Sequence, residues 1–164
     1  MNSVMRKYWG YLGTGSFWLL WPVWVVYFRI SNIRARVLVV CEDEVLLVQG
    51  WLSSKHWGLP GGGAKKSEET IVAAKRELYE ETGIETAESS LTKLGSFKYA
   101  KHGFKYGGDL FVLNLPEKPV LTPKKGEIWN IEWVPFGEVK KIKLDDEARS
   151  ALRRYRPPEQ ASLL

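Results

Sequence analysis

Between residues 61 and 84 the chain sets three consecutive glycines, Gly61-Gly62-Gly63, ahead of a segment carrying Glu77, Glu80 and Glu81, and this pairing constrains it more than any other feature. Ile71, Ala74 and Leu78 recur at helical spacing, Ser67 is a candidate N-cap with Glu68 and Glu69 in the first turn, and Gly83 marks the end of the predicted helix. On that helix Glu77, Glu80 and Glu81 stand at i, i+3 and i+4, so three carboxylates share one face within about one turn. Like charges so close repel, and the basic residues nearby are Lys75 and Arg76, the latter to one side of the cluster. Two readings follow: a solvated acidic face, or carboxylates relieved by hard divalent cations such as Mg²⁺, typically held by one or two carboxylates with substrate phosphates and water. The glycine loop favours the second, because a backbone without Cβ can approach a phosphate or offer a carbonyl to a metal.

Around this segment the pattern is that of a mixed α/β domain. Arg36–Cys41 and Glu44–Gln49 are short β-branched runs joined by an acidic turn at Glu42 and Asp43, which predicts a hairpin of largely buried strands. Residues 50–56 read as a loop and Trp57–Pro60 as a short extended piece. Leu94–Lys101 and Phe104–Leu115 predict a second hairpin turning at His102-Gly103. Ile131–Pro135 predicts a last strand, and Asp145–Arg154 a closing helix capped by Asp145 or Asp146.

The 164 residues suit one domain plus a short appendage. The appendage is the N-terminus: Trp9, Trp18, Trp21 and Trp24 crowd the first 24 residues, and no charge falls between Lys7 and Arg29. Its strongly apolar part, Phe17–Phe28, is short of the ~20 residues that span a bilayer, and the arginines that follow do not suit a secretory cleavage site. A helix-like hydrophobic arm over residues 1–33 is expected, with residues 8–28 either touching an anionic membrane surface or packing on the domain or a second copy. Cys41 alone excludes an internal disulfide, which fits a reducing, cytoplasmic setting. The net charge of +5 weakly favours polyanionic partners. Residues 34–156 are the expected domain and 157–164 a loose tail.

Gly62, five residues, Glu68, seven residues and then Arg76-Glu77-Leu78-Tyr79-Glu80-Glu81-Thr82-Gly83-Ile84 match every fixed position of the 23-residue signature of the Nudix hydrolases. The chain resembles MutT-like members of that family from about Arg34 to Arg154, including Trp57–Gly63 before the signature and Glu127–Pro135 near the last strand. The resemblance implies an α/β/α sandwich with a mixed sheet and Mg²⁺-dependent hydrolysis, with Mn²⁺ as a substitute, of a nucleoside diphosphate linked to another group. It implies Glu77, Glu80 and Glu81 as metal ligands with the Gly61 carbonyl, and Glu80 or Glu81 as holder of the attacking water. Glu68 and Arg76 would be an ion pair anchoring the loop at Gly62, and Glu127 a further carboxylate that contacts metal or acts as base. Leu78 and Ile84 fill the apolar positions.

The substrate is less constrained. Members acting on nucleoside triphosphates often carry an arginine where this chain has Gln49-Gly50, and Tyr99 falls short of the offset found in dinucleoside polyphosphate hydrolases. Trp57 is a candidate for stacking on a base. Asp145 and Asp146 lie where oxidised-purine sanitisers read the base, although helix capping is their simpler role. A nucleoside triphosphate or related small nucleotide is expected, and an RNA 5′-pyrophosphohydrolase or decapping role is the alternative suggested by Lys140, Lys141, Lys143, Arg149, Arg153, Arg154 and Arg156. A membrane-associated domain acting on a nucleotide sugar or dinucleotide is a third reading.

Overall fold

The computed structural model describes residues 33–50, 56–101, 104–123 and 128–155. Five strands, β1 (Ile33–Cys41), β2 (Glu44–Gly50), β3 (Thr92–Lys101), β4 (Phe104–Leu115) and β5 (Ile128–Pro135), form one sheet in the order β3-β4-β1-β2-β5. The β1–β4 pair is parallel and the others antiparallel, so the sheet is mixed. Helix α1 (Thr70–Thr82) covers one face and helix α2 (Asp146–Arg154) the other. Strand alternation explains the two layers: Val37 and Val39 of β1 meet Ala73, Ala74 and Leu78 of α1, whereas Leu38 and Val40 meet Ala148 and Ala151 of α2. This is the α/β/α sandwich expected from the sequence.

Both predicted hairpins form, with the first turning at Glu42-Asp43; the turn at His102-Gly103 lies outside the described residues. The last strand starts three residues earlier than predicted, because Ile128 and Asn130 continue the pairing with β2 past a register shift at Gln49/Gly50. The start of α1 also differs. Ser67 adopts a left-handed conformation with φ 64° in the turn before the helix, and the N-cap is Glu69, whose side chain makes no capping bond. Glu68 is drawn away from the helix start, accepting from the Lys65 N–H at 2.7 Å and pairing with Arg76. At the other end Gly83 is left-handed as predicted, φ 78°, and its N–H donates to the Tyr79 carbonyl. Asp145 caps α2 by accepting from the Ala148 N–H at 2.6 Å. No helix among the described residues is long and apolar enough to cross a membrane.

Candidate active site

Strands β1 and β2 pair only beside their turn, at Val40–Val45 and Cys41–Glu44, and the segment 57–64 wedges into the gap where they part. Val48 and Gly58 exchange both backbone hydrogen bonds on the β2 side. On the β1 side, Val37 N–H donates to the Pro60 carbonyl, Ala35 N–H to Gly62, and Ala64 N–H to Ile33. The fit tolerates no side chain at Gly61: a Cβ there would lie 2.1 Å from the Ala35 carbonyl oxygen, and φ is +138°. The glycine triplet is thus a strand-like insert in the sheet, presented to the C-terminal half of α1.

Two of the glutamates meet this insert directly. Gly61 N–H donates to Glu81 Oε2 at 2.7 Å. The Glu77 carboxylate packs so closely on Gly62 that a Cβ there would stand 2.5 Å from its carboxyl carbon. Arg76 binds Glu68 with two parallel bonds of 2.9 Å, donates to the Gly63 carbonyl at 3.0 Å and reaches Glu77 Oε1 at 2.7 Å. It also lies 3.8 Å from Glu80 Oε2, so it faces the cluster instead of standing to one side of it, and offsets part of the repulsion. The Arg76 hydrogen bonds, working against burial, hold the Glu68 carboxyl down at about 2.

The donor set is one of hard oxygens, the class that Mg²⁺ takes, and the space at Gly62 is kept open for the Glu77 carboxylate. Among the described residues no three acidic, histidine or cysteine side chains converge on a single point as a ready-made cage. The Gly61 carbonyl, the further ligand implied by the resemblance, accepts from Arg36 Nη1 and retains one lone pair.

Arg36, beside the candidate site, is not among the residues singled out from the sequence. It projects from β1 towards α2, donates through Nε to Glu147 Oε2 at 2.5 Å, and contacts the Leu59 carbonyl at 3.3 Å. Burial opposes its charge, but Glu147, Asp145 and Glu81 outweigh that and raise its pKa above the usual arginine value. Burial pushes the Glu147 carboxyl up and Arg36 more than reverses it, leaving the group below the usual carboxylate range. Tyr106 also hydrogen-bonds Glu147, and the Arg34 guanidinium lies 4.4 Å above the Tyr106 ring. The available signal was a charged residue within a strand whose neighbours are apolar.

The remaining candidates separate. Trp57 pairs with Leu144 in a parallel bridge and packs, half-buried, against the α2 side of the core. Asp145, besides capping α2, sets its other oxygen against Gly58, while Asp146 is exposed and 3.2 Å from Arg149. Gln49 accepts from the Asn130 amide at 2.8 Å. Glu127, the arm over residues 1–32 and the tail 157–164 lie outside the described residues.

Comparison with known proteins bears on the family and the fold. RNA pyrophosphohydrolase of Bartonella henselae is 36% identical over 113 residues, covering 67% of this chain and 56% of that protein. Diphosphoinositol polyphosphate phosphohydrolase 3-alpha of Mus musculus is 41% identical over 92 residues, covering 53% and 54%. The match to mRNA decapping complex subunit 2 of Schizosaccharomyces pombe, 41% over 57 residues, covers 35% of this chain and 8% of that protein. The chain therefore spans about half, or less, of the length of these relatives. Among solved structures, an Ap4A hydrolase binary complex from C. elegans superposes with a TM-score of 0.63 at 24% identity, covering 75% of this chain and 93% of that one, and shows the same fold. The NUDIX domain of Shewanella oneidensis NrtR, complexed with ADP ribose, gives 0.67 at 16% identity, covering 82% and 89%. A family model for the NUDIX domain matches residues 31–155, which takes in every strand and both α-helices among the described residues and the glycine insert seated on Glu77 and Glu81, and the chain belongs to the Nudix family.

Proposed function

We propose that this chain is a divalent-metal-dependent pyrophosphohydrolase that cleaves a diphosphate bond in a nucleoside diphosphate linked to another group. The observation that carries the reading is the Gly61 N–H···Glu81 bond of 2.7 Å, which ties the glycine insert to the acidic face of α1. Glu77, Glu80 and Glu81 are the side chains that would hold Mg²⁺ or Mn²⁺, with the Gly61 carbonyl and Glu127 as further oxygen donors. A bound cation would supply neutralisation of the diphosphate charge and a lower pKa for water. Arg76 lies within ion-pair distance of Glu68, Glu77 and Glu80, offsetting the repulsion among three neighbouring carboxylates and holding them in place. Glu80 or Glu81 accepts the proton of the attacking water at a carboxylate oxygen. Catalysis of this kind is mostly electrostatic, so no covalent enzyme intermediate is required.

The test is a panel of nucleoside triphosphates, nucleotide sugars, dinucleotides and 5′-triphosphorylated RNA, assayed with Mg²⁺ and with Mn²⁺. Hydrolysis should require the cation, and Glu80→Gln or Glu81→Gln should lower turnover at least ~100-fold in a folded protein. Near-normal turnover in both variants would overturn the site. RNA 5′ ends are a second reading, favoured by a shallow groove of about 260 Å³ on α2 lined by Asp146, Arg149, Ser150, Arg153 and Arg154. In that case activity on triphosphorylated RNA should fall with rising salt more steeply than activity on a free nucleotide.

A further inference from the structure

The Gly61 residue is gripped at both of its polar atoms by side chains from different elements. Its N–H donates to Glu81 of α1, and its carbonyl accepts from Arg36 of β1. The same Arg36 nitrogen reaches the Leu59 carbonyl, while Nε is fixed by Glu147 of α2. Glu147 is buried and Arg36 largely so, with side chains 7% and 16% exposed. A simple ion pair would need neither carbonyl, whereas a planar guanidinium that gives Nε to Glu147 and turns Nη1 to two loop carbonyls bears on the orientation of the peptides that carry them. At Gly61 no Cβ restrains the backbone, so these side chains, together with the Val37–Pro60 and Ala35–Gly62 backbone hydrogen bonds on either side, set how the residue sits.

We infer that Arg36, oriented by Glu147, is a positioning residue that fixes Gly61 and, through its N–H, the carboxylate of Glu81; this rests on the hydrolase reading of Glu81. Arg36 acts through the loop backbone and does not touch substrate. The closing helix is then part of the support of the acidic site on the opposite face of the sheet. Its start is already joined to the loop by Trp57 N–H to the Lys143 carbonyl at 2.8 Å and Asp145 N–H to the Trp57 carbonyl at 2.9 Å.

Two variants separate positioning from simple stability. Arg36→Lys keeps a charge for Glu147 but has no second nitrogen to hold the carbonyls at the same time. The double variant Arg36→Met/Glu147→Met replaces the buried pair with apolar side chains, an exchange that is often neutral for stability. Each is compared with the wild-type full chain in Mg²⁺-dependent turnover and, without metal, in amide hydrogen exchange. Both variants should remain folded, with kcat lower by ~10–100-fold and KM within ~3-fold, as expected of misplaced groups with substrate binding retained. Exchange at the Gly61 amide should speed up, while the Gly83 amide at the end of α1 stays as protected as in the wild type. A kcat within ~3-fold of wild type in both folded variants, with Gly61 exchange unchanged, would overturn the inference. A wild-type chain inactive on every diphosphate substrate would instead break the hydrolase reading, and the exchange comparison would then decide the positioning role.

Discussion

Two arginine–glutamate pairs grip the glycine insert from opposite sides of the sheet, Arg76 with Glu68 on the α1 side and Arg36 with Glu147 on the α2 side. Arg76 sits among surplus carboxylates, with Glu77 and Glu80 in reach, and contacts the loop through one carbonyl. Arg36 has a single carboxylate bonded to it and contacts two loop carbonyls. The first pair therefore balances charge in the acidic site and anchors the insert as a consequence. The second pair lies in a drier layer, and its geometry is spent on the backbone of the insert. Loss of one partner should be felt differently on the two sides: Glu68 without Arg76 remains near other ionic groups and solvent, whereas Glu147 without Arg36 keeps the Tyr106 hydrogen bond and the more distant Arg34 charge but is buried against the core.

The largest effect expected from breaking this comparison is therefore on stability at Arg36. Arg36→Met should cost about 3–5 kcal/mol in urea unfolding at neutral pH, the range for removing one member of a buried ion pair. Arg76→Met should cost less, about 1–3 kcal/mol, as for lost hydrogen bonds to a charged group. Adding Glu147→Met to Arg36→Met should restore most of the loss. If Arg76→Met proved the costlier of the two single variants, the assignment of the drier, less replaceable role to Arg36 would be wrong.

The two pairs also mark how far the sequence could be read. Glu68 and Arg76 are eight residues apart inside a fixed spacing, so their pairing follows from a loop folding back on its own helix. Arg36 and Glu147 are separated by 111 positions, and nothing local joins a strand arginine to one of the acidic residues at the start of a mixed-charge helix; only the closure of α2 over the sheet does. The same division runs through the fold. Strand alternation, the acidic turn at Glu42-Asp43, the Gly83 stop and the Asp145 cap are local signals, and the expected hairpins and helices formed on them. Ser67 misled because its capping preference competes with a tertiary demand: Glu68 must turn towards Arg76, which leaves Ser67 in a left-handed turn and the cap position to Glu69. The wedge between β1 and β2 was equally invisible, since Trp57–Pro60 shows as extended chain without naming the strands that receive it.

Acid titration sharpens the contrast with an intermediate effect. The Glu68 carboxyl is held at about 2, against 4.5 for the free group, mainly by its hydrogen bonds to Arg76. A depressed folded-state pKa means that the ionised pair contributes fully above about pH 4.5 and that this contribution is lost as pH falls through about 2. Glu68→Gln should thus lower stability at pH 7 by about 1–3 kcal/mol, with the deficit closing as the pH is lowered through that window. The same closing deficit should appear when Glu68→Gln is introduced into Arg36→Met/Glu147→Met, because the partner of Glu68 lies on the other side of the sheet. Urea midpoints measured at a series of pH values decide it; a Glu68→Gln deficit that is flat from pH 7 to pH 2.5 would mean that the pair is not ionically coupled.

The smallest effect concerns Asp145, which joins α2 to the insert without belonging to either ion pair. One carboxylate oxygen caps the helix through the Ala148 N–H, and the other lies against Gly58, where an added Cβ would meet it at 2.5 Å. Asparagine caps helices about as well as aspartate, while alanine cannot, so Asp145→Ala should cost about 1 kcal/mol and Asp145→Asn only a few tenths. The cap also holds the start of α2 at the height where Glu147 meets Arg36, so a frayed first turn should weaken that pair and slow turnover slightly in the alanine variant alone. A side chain occupied in this way is poorly placed to read a base. Relative kcat/KM for the four deoxynucleoside triphosphates and 8-oxo-dGTP should therefore shift by less than ~3-fold in either variant, under about 0.7 kcal/mol of differential transition-state binding. If asparagine preserved stability yet changed the preference for 8-oxo-dGTP by ~100-fold or more, Asp145 would be a base reader, and the α2 side would bear on substrate choice as well as on the support of the loop.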